Sequence, residues 1–290
     1  MPELPEVETT VRGLKSRVLN RTFVDIWTDF PKMIKKPKDF KDFKKGIIGK
    51  KIEDVKRRAK NILIELSGGK VLLIHQKLTG HLLVGKWEKS DNNWRSLEKG
   101  PLSDPINRFI HLMFYLDKKM LALSDLRKFA KIELWDKKEL ESSEEFKKIG
   151  PEPLDKSFVF EKFKNVLNGK KGKIKQVLMD PNVIAGIGNI YSDEILFKAK
   201  VHPLKKVFEL KENELKLIYG AMRDILPKAI ELGGESFSDF RNIDGGKGFF
   251  DKERKVYRKE GENCPRCGDI IKRIKIGGRS AHFCSSCQKI

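Results

Sequence analysis

The sequence predicts an α+β chain of several domains: an N-terminal β-sandwich that begins with a helix, a helical domain, and a C-terminal four-cysteine zinc-ribbon hairpin. Three observations lead to this prediction. Short runs of β-branched and aromatic residues fill positions 1–135, and helical periodicity replaces them from 156 onward. All four cysteines lie between positions 264 and 287 of the 290 residues. A chain of this length can hold two domains of ordinary size, or one domain with an appended module.

The first element is a helix, and strands follow it. Val7, Val11, Leu14 and Val18 recur at spacings of four and three, which is a helical stripe, and Pro5 suits the first turn. Many short strands in so few residues favour a β-sandwich or a flattened barrel, and we place them in domain 1–135. The strand candidates are Thr22–Phe30, Ile47–Arg57, Ile62–Leu66, Val71–His75, His81–Trp87, Phe109–Leu116, Met120–Ser124 and Lys131–Trp135.

Beyond these strands the pattern becomes polar. Residues 136–155 end in Gly150-Pro-Glu-Pro153 and predict an interdomain linker. Residues 156–257 form the predicted helical domain, which includes a long loop rich in Gly, Ser and Asp at 233–250. Loops of this length are usually functional or disordered.

The last predicted domain, 258–290, is a zinc module. Cys264 and Cys267 form one C-x2-C pair, and Cys284 and Cys287 form a second pair 16 residues later. This spacing is typical of a tetrahedral zinc site, and four thiolates leave no open position, so one structural Zn²⁺ is expected. A redox C-x-x-C would need only two cysteines. Between the pairs, two strands meet at Gly277-Gly278, which places Arg279 beside the tip of a hairpin.

Composition indicates the partner. The net charge of +20 favours a polyanion such as nucleic acid, although a lysine-rich proteome would also produce it. The N-terminus does not resemble a secretory signal, and no apolar run is long enough to span a membrane. Clustered cysteines indicate a reducing cytosol, so we expect a cytoplasmic monomer associated with the nucleoid.

The N-terminus carries groups suited to covalent chemistry. Removal of the initiator Met would expose the amine of Pro2, and an α-amino group titrates near pH ~8, well below Lys. Such an amine can attack a sugar C1′, with Glu3 and Glu6 within one turn as acid and base. The alternative is that Pro and acidic residues simply start the helix.

Several motifs occur in an order that resembles one family. They are Pro2–Glu8 (PELPEVE), Arg57–Leu66, His75–Gly80, Gly150–Pro153, Gly186–Tyr191 and the terminal cysteine pairs. Together they resemble the formamidopyrimidine-DNA glycosylases, bifunctional repair enzymes, over essentially the whole chain. The resemblance implies a helix–two-turn–helix in the central domain.

The resemblance also implies roles for the matching residues. Pro2 would be the nucleophile, Glu3 the general acid for sugar-ring opening, and Glu6 a supporting carboxylate. Lys60 would contact the phosphate beside the lesion, and His75 would bind a second phosphate. Outside the family context, these last two would be an ordinary surface lysine and a structural histidine.

Further phosphate contacts are implied in the C-terminal half. Asn189 begins a helical run after a Gly-x-Gly turn, where backbone N–H groups suit a phosphate. Arg279 matches the family's phosphate-binding arginine. Lys175 is a third candidate, and a solvated helix face is its alternative.

An enzyme that acts on C1′ in a duplex must extrude the nucleotide and fill the void. The resemblance assigns this task to Leu78, Arg127 and Phe129. Leu78 stands where the family usually has Met, and Leu126–Ala130 departs from the usual Pro-Arg-Arg-Phe-Gly. The loop from 235 to 250 would close over the flipped base, with Ser236 and Ser238 as candidate contacts.

The expected function is therefore a DNA glycosylase and abasic-site lyase that acts on oxidised purines in damaged duplex DNA. One alternative is a sister enzyme for oxidised pyrimidines, which would share this architecture. The other is a non-catalytic zinc-ribbon protein that binds nucleic acid.

Overall fold

The computed structural model describes residues 1–90, 93–236 and 239–290. The chain divides into two compact units. Unit 1 contains Met1–Lys147 and Leu232–Asp251, and unit 2 contains Lys148–Glu231 and Lys252–Ile290. Among the described residues, no helix combines the length and the apolar character that crossing a membrane requires.

Unit 1 begins with helix α1 (Leu4–Val18). The predicted stripe is its buried face, which joins the main apolar core of the unit. Glu3 and Glu6 form a reciprocal capping box at the start of the helix, and Pro5 occupies its first turn. Pro5, Glu3 and Glu6 therefore do mark the start of a helix, and two of them, Glu3 and Glu6, are also the predicted acid and base of the reaction.

Two sheets pack around this core. The strands of unit 1 are β1 (Phe23–Thr28), β2 (Ile34–Lys36), β3 (Ile52–Arg58), β4 (Asn61–Leu66), β5 (Lys70–His75), β6 (His81–Gly85), β7 (Trp87–Ser90), β8 (Asn93–Ser96), β9 (Ile110–Leu116), β10 (Met120–Ser124) and β11 (Lys131–Asp136). One sheet has the order β1-β9-β10-β6, and the other has the order β2-β11-β5-β4-β3. Both contribute buried side chains to one core, which confirms the predicted β-sandwich.

Several elements differ from the prediction. The segment predicted as one strand, Ile47–Arg57, is the end of helix α2 (Phe40–Ile47) followed by β3. Asp39 caps this helix by accepting a hydrogen bond from the Asp42 N–H, and Phe43 and Ile47 are buried on one face. The short strand β2 and the β7–β8 hairpin were not predicted. The predicted linker begins with two helices, α3 (Lys137–Ser142) and α4 (Glu144–Lys147).

Two loops connect the sheets at one end of the sandwich. Residues 76–80 lead from β5 to β6, and residues 125–130 lead from β10 to β11. Because β5 pairs with β11 and β6 pairs with β10, both loops pass between the same two sheets side by side. These loops carry the three residues that were predicted to fill the void.

Unit 2 is helical and ends in a hairpin. Its elements are α5 (Phe160–Leu167), α6 (Ile174–Met179), α7 (Asn189–Lys198), α8 (Glu212–Glu231), β12 (Ile271–Ile276) and β13 (Arg279–Cys284). The helices and the β-hairpin agree with the prediction. Gly277 and Gly278 both have positive φ, the conformation that a two-residue hairpin turn requires.

The long loop lies with unit 1 and not with the predicted domain 156–257. Ile243 is buried in the core of the sandwich, and its carbonyl accepts a hydrogen bond of 2.8 Å from the Val84 N–H. Because the loop contributes an apolar side chain to this core, its position is set by the sandwich. The sequence of this loop shows only a polar composition, from which we predicted that the loop belongs to the helical domain before it.

Candidate active site and nucleic-acid contacts

The amino terminus lies among charged groups at the start of α1. Pro2, Glu3 and Glu6 are buried. In this structure the terminal amino group is that of Met1; burial lowers its pKa below the ordinary value, and the charge of Lys60 lowers it further. The carboxylates of Glu3, Glu6 and Asp239 act in the opposite direction. An amine with a lowered pKa is more often neutral near pH 7, which is the form that attacks carbon.

Glu6 connects the start of the helix to the long loop. Its Oε2 accepts a hydrogen bond of 2.7 Å from the Glu3 N–H, and its Oε1 accepts one of 2.7 Å from the Glu235 N–H. Gly234 packs so closely that an added Cβ would lie 2.8 Å from Oε1. The carboxylate therefore holds the loop beside the amino terminus, which agrees with a supporting role.

Lys60 lies in the turn between β3 and β4. Arg58 pairs with Asn61, so Ala59 and Lys60 form a two-residue turn. The adjacent Arg57, only 10% exposed, bonds the Glu8 carboxylate of α1 at 2.9 Å and fastens this hairpin to the helix. The charge of Lys60 lowers the pKa of both the terminal amine and His75, which places it within electrostatic reach of both groups.

His75 is neutral at physiological pH. Burial, together with the charges of Lys77, Lys60 and Lys131, lowers its pKa to about 3. Its Nδ1 accepts a hydrogen bond of 2.9 Å from the Lys77 N–H, so the ring proton is on Nε2. The imidazole is thus suited to donate one directed hydrogen bond, for example to a phosphate oxygen.

The three void-filling candidates lie on the two loops that connect the sheets. Arg127 is exposed and Leu78 is partly buried. Phe129 is 51% exposed, which is unusual for a large apolar side chain. The Arg127 guanidinium lies 4.8 Å from the centre of the Phe129 ring, so these two side chains form one stacked projection.

Of the two candidate base contacts in the long loop, Ser236 is described. Its hydroxyl is buried and accepts a hydrogen bond of 2.8 Å from the Gly248 N–H. This bond links the two sides of the loop and leaves the hydroxyl proton able to donate to another group. Ser238, the other candidate, lies outside the described residues.

Asn189 begins α7 in unit 2, as predicted for a phosphate-binding helix start. Gly186 precedes it with a φ of +84° and makes the turn that leads into the helix. The Asn189 side-chain carbonyl is buried and has no hydrogen-bond partner among the described residues. Because this oxygen only accepts hydrogen bonds, a phosphate at this place would have to be bound by N–H donors.

Lys175 corrects a prediction, because it faces neither solvent nor a DNA surface. Its side chain is 1% exposed, and its Nζ lies 2.6 Å from Asp193 Oδ1. The same Nζ donates hydrogen bonds to Ser192 Oγ and to the Asn189 carbonyl, at 3.0 and 3.3 Å. A buried ammonium needs such partners, and these three occupy it. Lys175 therefore positions the start of α7.

The same network holds the hairpin that bears Arg279. Asp193 Oδ2 accepts hydrogen bonds of 2.9 Å from both the backbone N–H and Nδ1 of His282 on β13. At the tip, Gly277 packs against Gln176 of α6, where an added Cβ would lie 2.3 Å from Nε2. Arg279 itself is exposed beside this tip. Asn189 and Arg279 are thus presented by one rigid scaffold.

The four cysteines form a site that fits a zinc ion. Their sulfur atoms lie within 4.8 Å of one another. The Cys264–Cys287 and Cys267–Cys284 sulfur pairs are 3.9 and 3.4 Å apart. A tetrahedron with Zn–S bonds of about 2.3 Å has edges of roughly 3.8 Å. One structural Zn²⁺ therefore fits this site, and His282 is engaged by Asp193 instead of serving as a ligand.

The sequence analysis did not identify several buried polar residues near the candidate site residues. Examples are Asp193 beside Lys175 and Asp125 beside the void-filling loops. A signal for Asp193 exists, because it and Glu194 are acids within the apolar run of α7. Glu194 is buried and accepts hydrogen bonds from three backbone N–H groups, those of Lys255, Val256 and Tyr257. Buried acids require such partners, so each one indicates a packed neighbour.

Three family models match the chain. The formamidopyrimidine-DNA glycosylase N-terminal domain matches residues 1–132, and the H2TH domain of the same family matches residues 149–241. A zinc finger found in FPG and IleRS matches residues 261–290. The matches follow the order of the motifs in the sequence.

Whole-chain relatives agree with these models. The chain is 37% identical to the formamidopyrimidine-DNA glycosylase of Pelotomaculum thermopropionicum, with both chains fully covered. It is 38% identical to that of Streptococcus mutans, again over the full length of both. Among solved structures, wild-type Lactococcus lactis Fpg in complex with DNA containing N7-benzyl-Fapy-dG has a TM-score of 0.87 at 35% identity. MutM in complex with DNA containing carbocyclic 8-oxo-G has a TM-score of 0.87 at 35% identity. Each of these two alignments covers both chains completely.

Proposed function

Because the chain belongs to the formamidopyrimidine-DNA glycosylase family, we propose that it excises oxidised purines from duplex DNA and cleaves the resulting abasic site. One observation carries the proposal beyond family membership. Pro2 is buried beside Glu3 and Glu6, and the charges of these two carboxylates and of Lys60 all act on the adjacent Met1 amine, whose pKa is lowered by burial. A protein that only bound DNA would have no use for this arrangement.

The nucleophile is the amine of Pro2 after Met1 has been removed. Its nitrogen attacks C1′ of the damaged nucleotide, the glycosidic bond breaks, and the departing base takes up a proton. Glu3 delivers a proton to the ring oxygen as the sugar opens, which yields an iminium between Pro2 and C1′. Glu6 is held by two backbone N–H groups, so it keeps the helix start and the loop in place during these steps.

Strand cleavage follows from the iminium. The iminium makes the C2′ protons acidic, and removal of one expels the 3′-phosphate by β-elimination. A second, δ-elimination expels the 5′-phosphate, so that a gap with phosphate at both ends remains. Water finally releases the sugar fragment and regenerates the secondary amine of Pro2.

Phosphate binding uses groups from both units. In unit 1, Lys60 supplies a charge and His75 supplies a neutral N–H donor. In unit 2, Asn189 and the start of α7 bind one phosphate and Arg279 binds another. None of these contacts reads a base, which suits an enzyme that must search all sequences. Continuous search of this kind also implies association with the nucleoid.

Leu78, Arg127 and Phe129 fill the void that the extruded nucleotide leaves. Their position on adjacent loops, with Arg127 and Phe129 exposed and Leu78 partly buried, supports this assignment. The sister activity on oxidised pyrimidines and a purely binding role receive no support from the named relatives, which are formamidopyrimidine-DNA glycosylases.

An excision panel tests the function. Duplexes with 8-oxoguanine, a formamidopyrimidine or thymine glycol are incubated with the enzyme, each lesion opposite each of the four bases. We expect the two purine lesions to be excised, with 3′- and 5′-phosphate ends, and borohydride to trap the enzyme on them. Preferred excision of thymine glycol would support the pyrimidine enzyme, and binding without any excision would support the non-catalytic protein.

A prediction about pH follows from the charge of Lys60. This charge lowers the pKa of the Met1 amine, and it should act in the same direction on the Pro2 amine that is exposed after Met1 is removed, so Lys60→Met should raise the pKa of the nucleophile. Less neutral amine is then present at a given pH below the new pKa, and the rising part of the pH–rate profile should move to higher pH. Single-turnover rates at saturating enzyme measure the shift. The lost phosphate contact should also weaken binding about tenfold to hundredfold.

Lys131→Met is the matched control. Lys131 is also a lysine near His75, but it is not among the main charges that act on the terminal amine. Its removal should leave the pH–rate profile in place. An unchanged profile in Lys60→Met would show that Lys60 does not tune the nucleophile.

A further inference from the structure

A buried carboxylate lies between the two loops that carry the void-filling residues. Asp125 follows the end of β10 and is 0% exposed. Its backbone N–H donates a hydrogen bond of 2.8 Å to the Phe109 carbonyl, which anchors the start of the 125–130 loop. A carboxylate that is fully removed from water is costly unless every acceptor position is used.

The partners of Asp125 come from both loops. From the 76–80 loop, the Thr79 hydroxyl donates a hydrogen bond to Oδ1. From its own loop, the Arg127 N–H donates to Oδ1 at 3.3 Å and the Ala130 N–H donates to Oδ2 at 2.8 Å. Thr79 Oγ1 in turn accepts a hydrogen bond of 3.1 Å from the Arg127 N–H. The Thr79 hydroxyl is therefore the side-chain link from one loop to the other.

These bonds are placed directly beside the void-filling residues. In the 76–80 loop, Thr79 directly follows Leu78. In the 125–130 loop, one backbone donor is Arg127 itself, and the other is Ala130, the residue after Phe129. Among the described residues, no Lys, Arg or His side chain forms an ion pair with Asp125. His81 lies close enough for the Asp125 charge to act on its pKa, but the hydrogen bonds to the carboxylate come from Thr79, Arg127 and Ala130, and such charge-assisted bonds are short and directional.

Void filling needs this geometry. Three side chains from two separate loops must enter one gap together, and any freedom between the loops would have to be lost when the base leaves the stack. A link that orders the loops beforehand removes that cost from the extrusion step.

We propose that Asp125 and Thr79 are positioning residues for nucleotide extrusion: they lock the two loops so that Leu78, Arg127 and Phe129 act as one wedge. This inference rests on the proposed glycosylase function. Neither residue touches the reacting atoms, and both act through the wedge. The link serves the removal of a stacked base and contributes little where no base is present.

The test compares two substrates with Thr79→Val, which removes the hydroxyl and keeps the shape of the side chain. One duplex carries 8-oxoguanine opposite cytosine, and the other carries a preformed abasic site opposite cytosine. We expect single-turnover excision to fall about tenfold, as for loss of one hydrogen bond to a charged group, while abasic-site cleavage changes less than about twofold. The slow phase of 2-aminopurine fluorescence beside the lesion, which reports unstacking, should slow by the same factor as excision.

Three further variants complete the design. Thr79→Ser restores the hydroxyl and should restore excision. Asp125→Asn keeps the shape but turns one acceptor into a donor, so it should show the same split between the two substrates. Thr28→Val is the matched control, because the Thr28 hydroxyl also donates one hydrogen bond and accepts another, at 2.6 and 3.1 Å, away from these loops.

The outcomes separate the inference from the proposed function. Equal losses on both substrates, or losses that Thr28→Val reproduces, would mean that Thr79 is merely structural and would overturn the inference. Unchanged excision in Thr79→Val would also overturn it. If the wild-type enzyme excised no purine lesion, the proposed function itself would fail, independently of the variants.

Discussion

Retention of Met1 in front of residue 2 should abolish both excision and covalent trapping. Pro2→Gln achieves this, because a bulky residue at the second position prevents removal of the initiator methionine. The reactive amine would then lie one residue, about 3.8 Å, away from its working position. Since misplacement by about 1 Å already costs on the order of a hundredfold, we expect a loss of at least about a thousandfold in single-turnover excision.

Binding should survive this substitution, because the phosphate contacts assigned to Lys60, His75, Asn189 and Arg279 do not involve residue 2. A gel shift on duplex with a stable abasic analogue should show affinity within about threefold of wild type, less than the loss of one contact. Pro2→Gly allows Met1 to be removed but replaces the secondary amine by a flexible primary one, and it should show an intermediate loss. Intact mass establishes the N-terminus of each variant. A Pro2→Gln enzyme that is still trapped by borohydride would refute the nucleophile assignment, and so would a Pro2→Gly enzyme that traps and cuts as well as wild type.

Loss of the zinc ion should abolish DNA binding and activity together. The apolar cluster beneath the hairpin is small: Phe197, Val256 and Ile271 pack against Cys264 and Cys284. Such a cluster cannot hold about thirty residues in one fold, whereas a structural zinc ion contributes on the order of 10 kcal/mol. Without the ion the hairpin should unfold. Arg279 would then no longer be held in a fixed position relative to Asn189.

Cys267→Ser tests this prediction without a chelator. We expect the bound zinc to fall from one per chain to less than about a tenth, and the affinity for duplex to fall at least about a hundredfold, beyond the loss of one arginine contact. Ser285→Ala, between the ligands of the second pair, should retain both zinc and binding. Zinc-free protein that bound duplex normally would show that the finger has no part in DNA recognition. The contrast with Pro2→Gln, which should bind without reacting, separates the contribution of the zinc finger to binding from the chemistry at Pro2.

The strand predictions succeeded where runs of β-branched and other apolar residues are bounded by turns. In β4, buried and half-buried side chains alternate strictly. Met120–Ser124, which is buried at four consecutive positions, begins and ends as predicted. The prediction was wrong where a helix is short. In α2 the apolar spacing covers barely two turns, so its end merged with the following strand into one apparent β segment. The β7–β8 hairpin was also missed, and there Trp87 and Trp94 join a second, separate apolar cluster.

Lys175 illustrates a different limit. Its sequence neighbourhood is basic and polar, which is typical of a solvated helix face. The Lys175 ammonium can be buried because the Asp193 carboxylate, which belongs to the next helix α7, is buried beside it. The attraction between the two opposite charges offsets the cost of removing them from water. No local pattern in the sequence predicts this contact between Lys175 and Asp193.

By itself, the sequence predicted the four-cysteine zinc site, the N-terminal sandwich, the helical domain and the terminal hairpin, and it supplied the hypothesis of a reactive amine at Pro2. These properties depend on residue type, on spacing within one segment, or on a motif that one stretch of chain carries whole. Only the tertiary structure shows that Glu6 bonds the long loop and that the Lys175 ammonium donates a hydrogen bond to the Asn189 carbonyl. The same is true of the hydrogen bond by which Asp125 and Thr79 join their two loops. Each of these pairings joins segments that are distant in sequence, and the hydrogen bonds form only because packing of the core brings their ends to the same place.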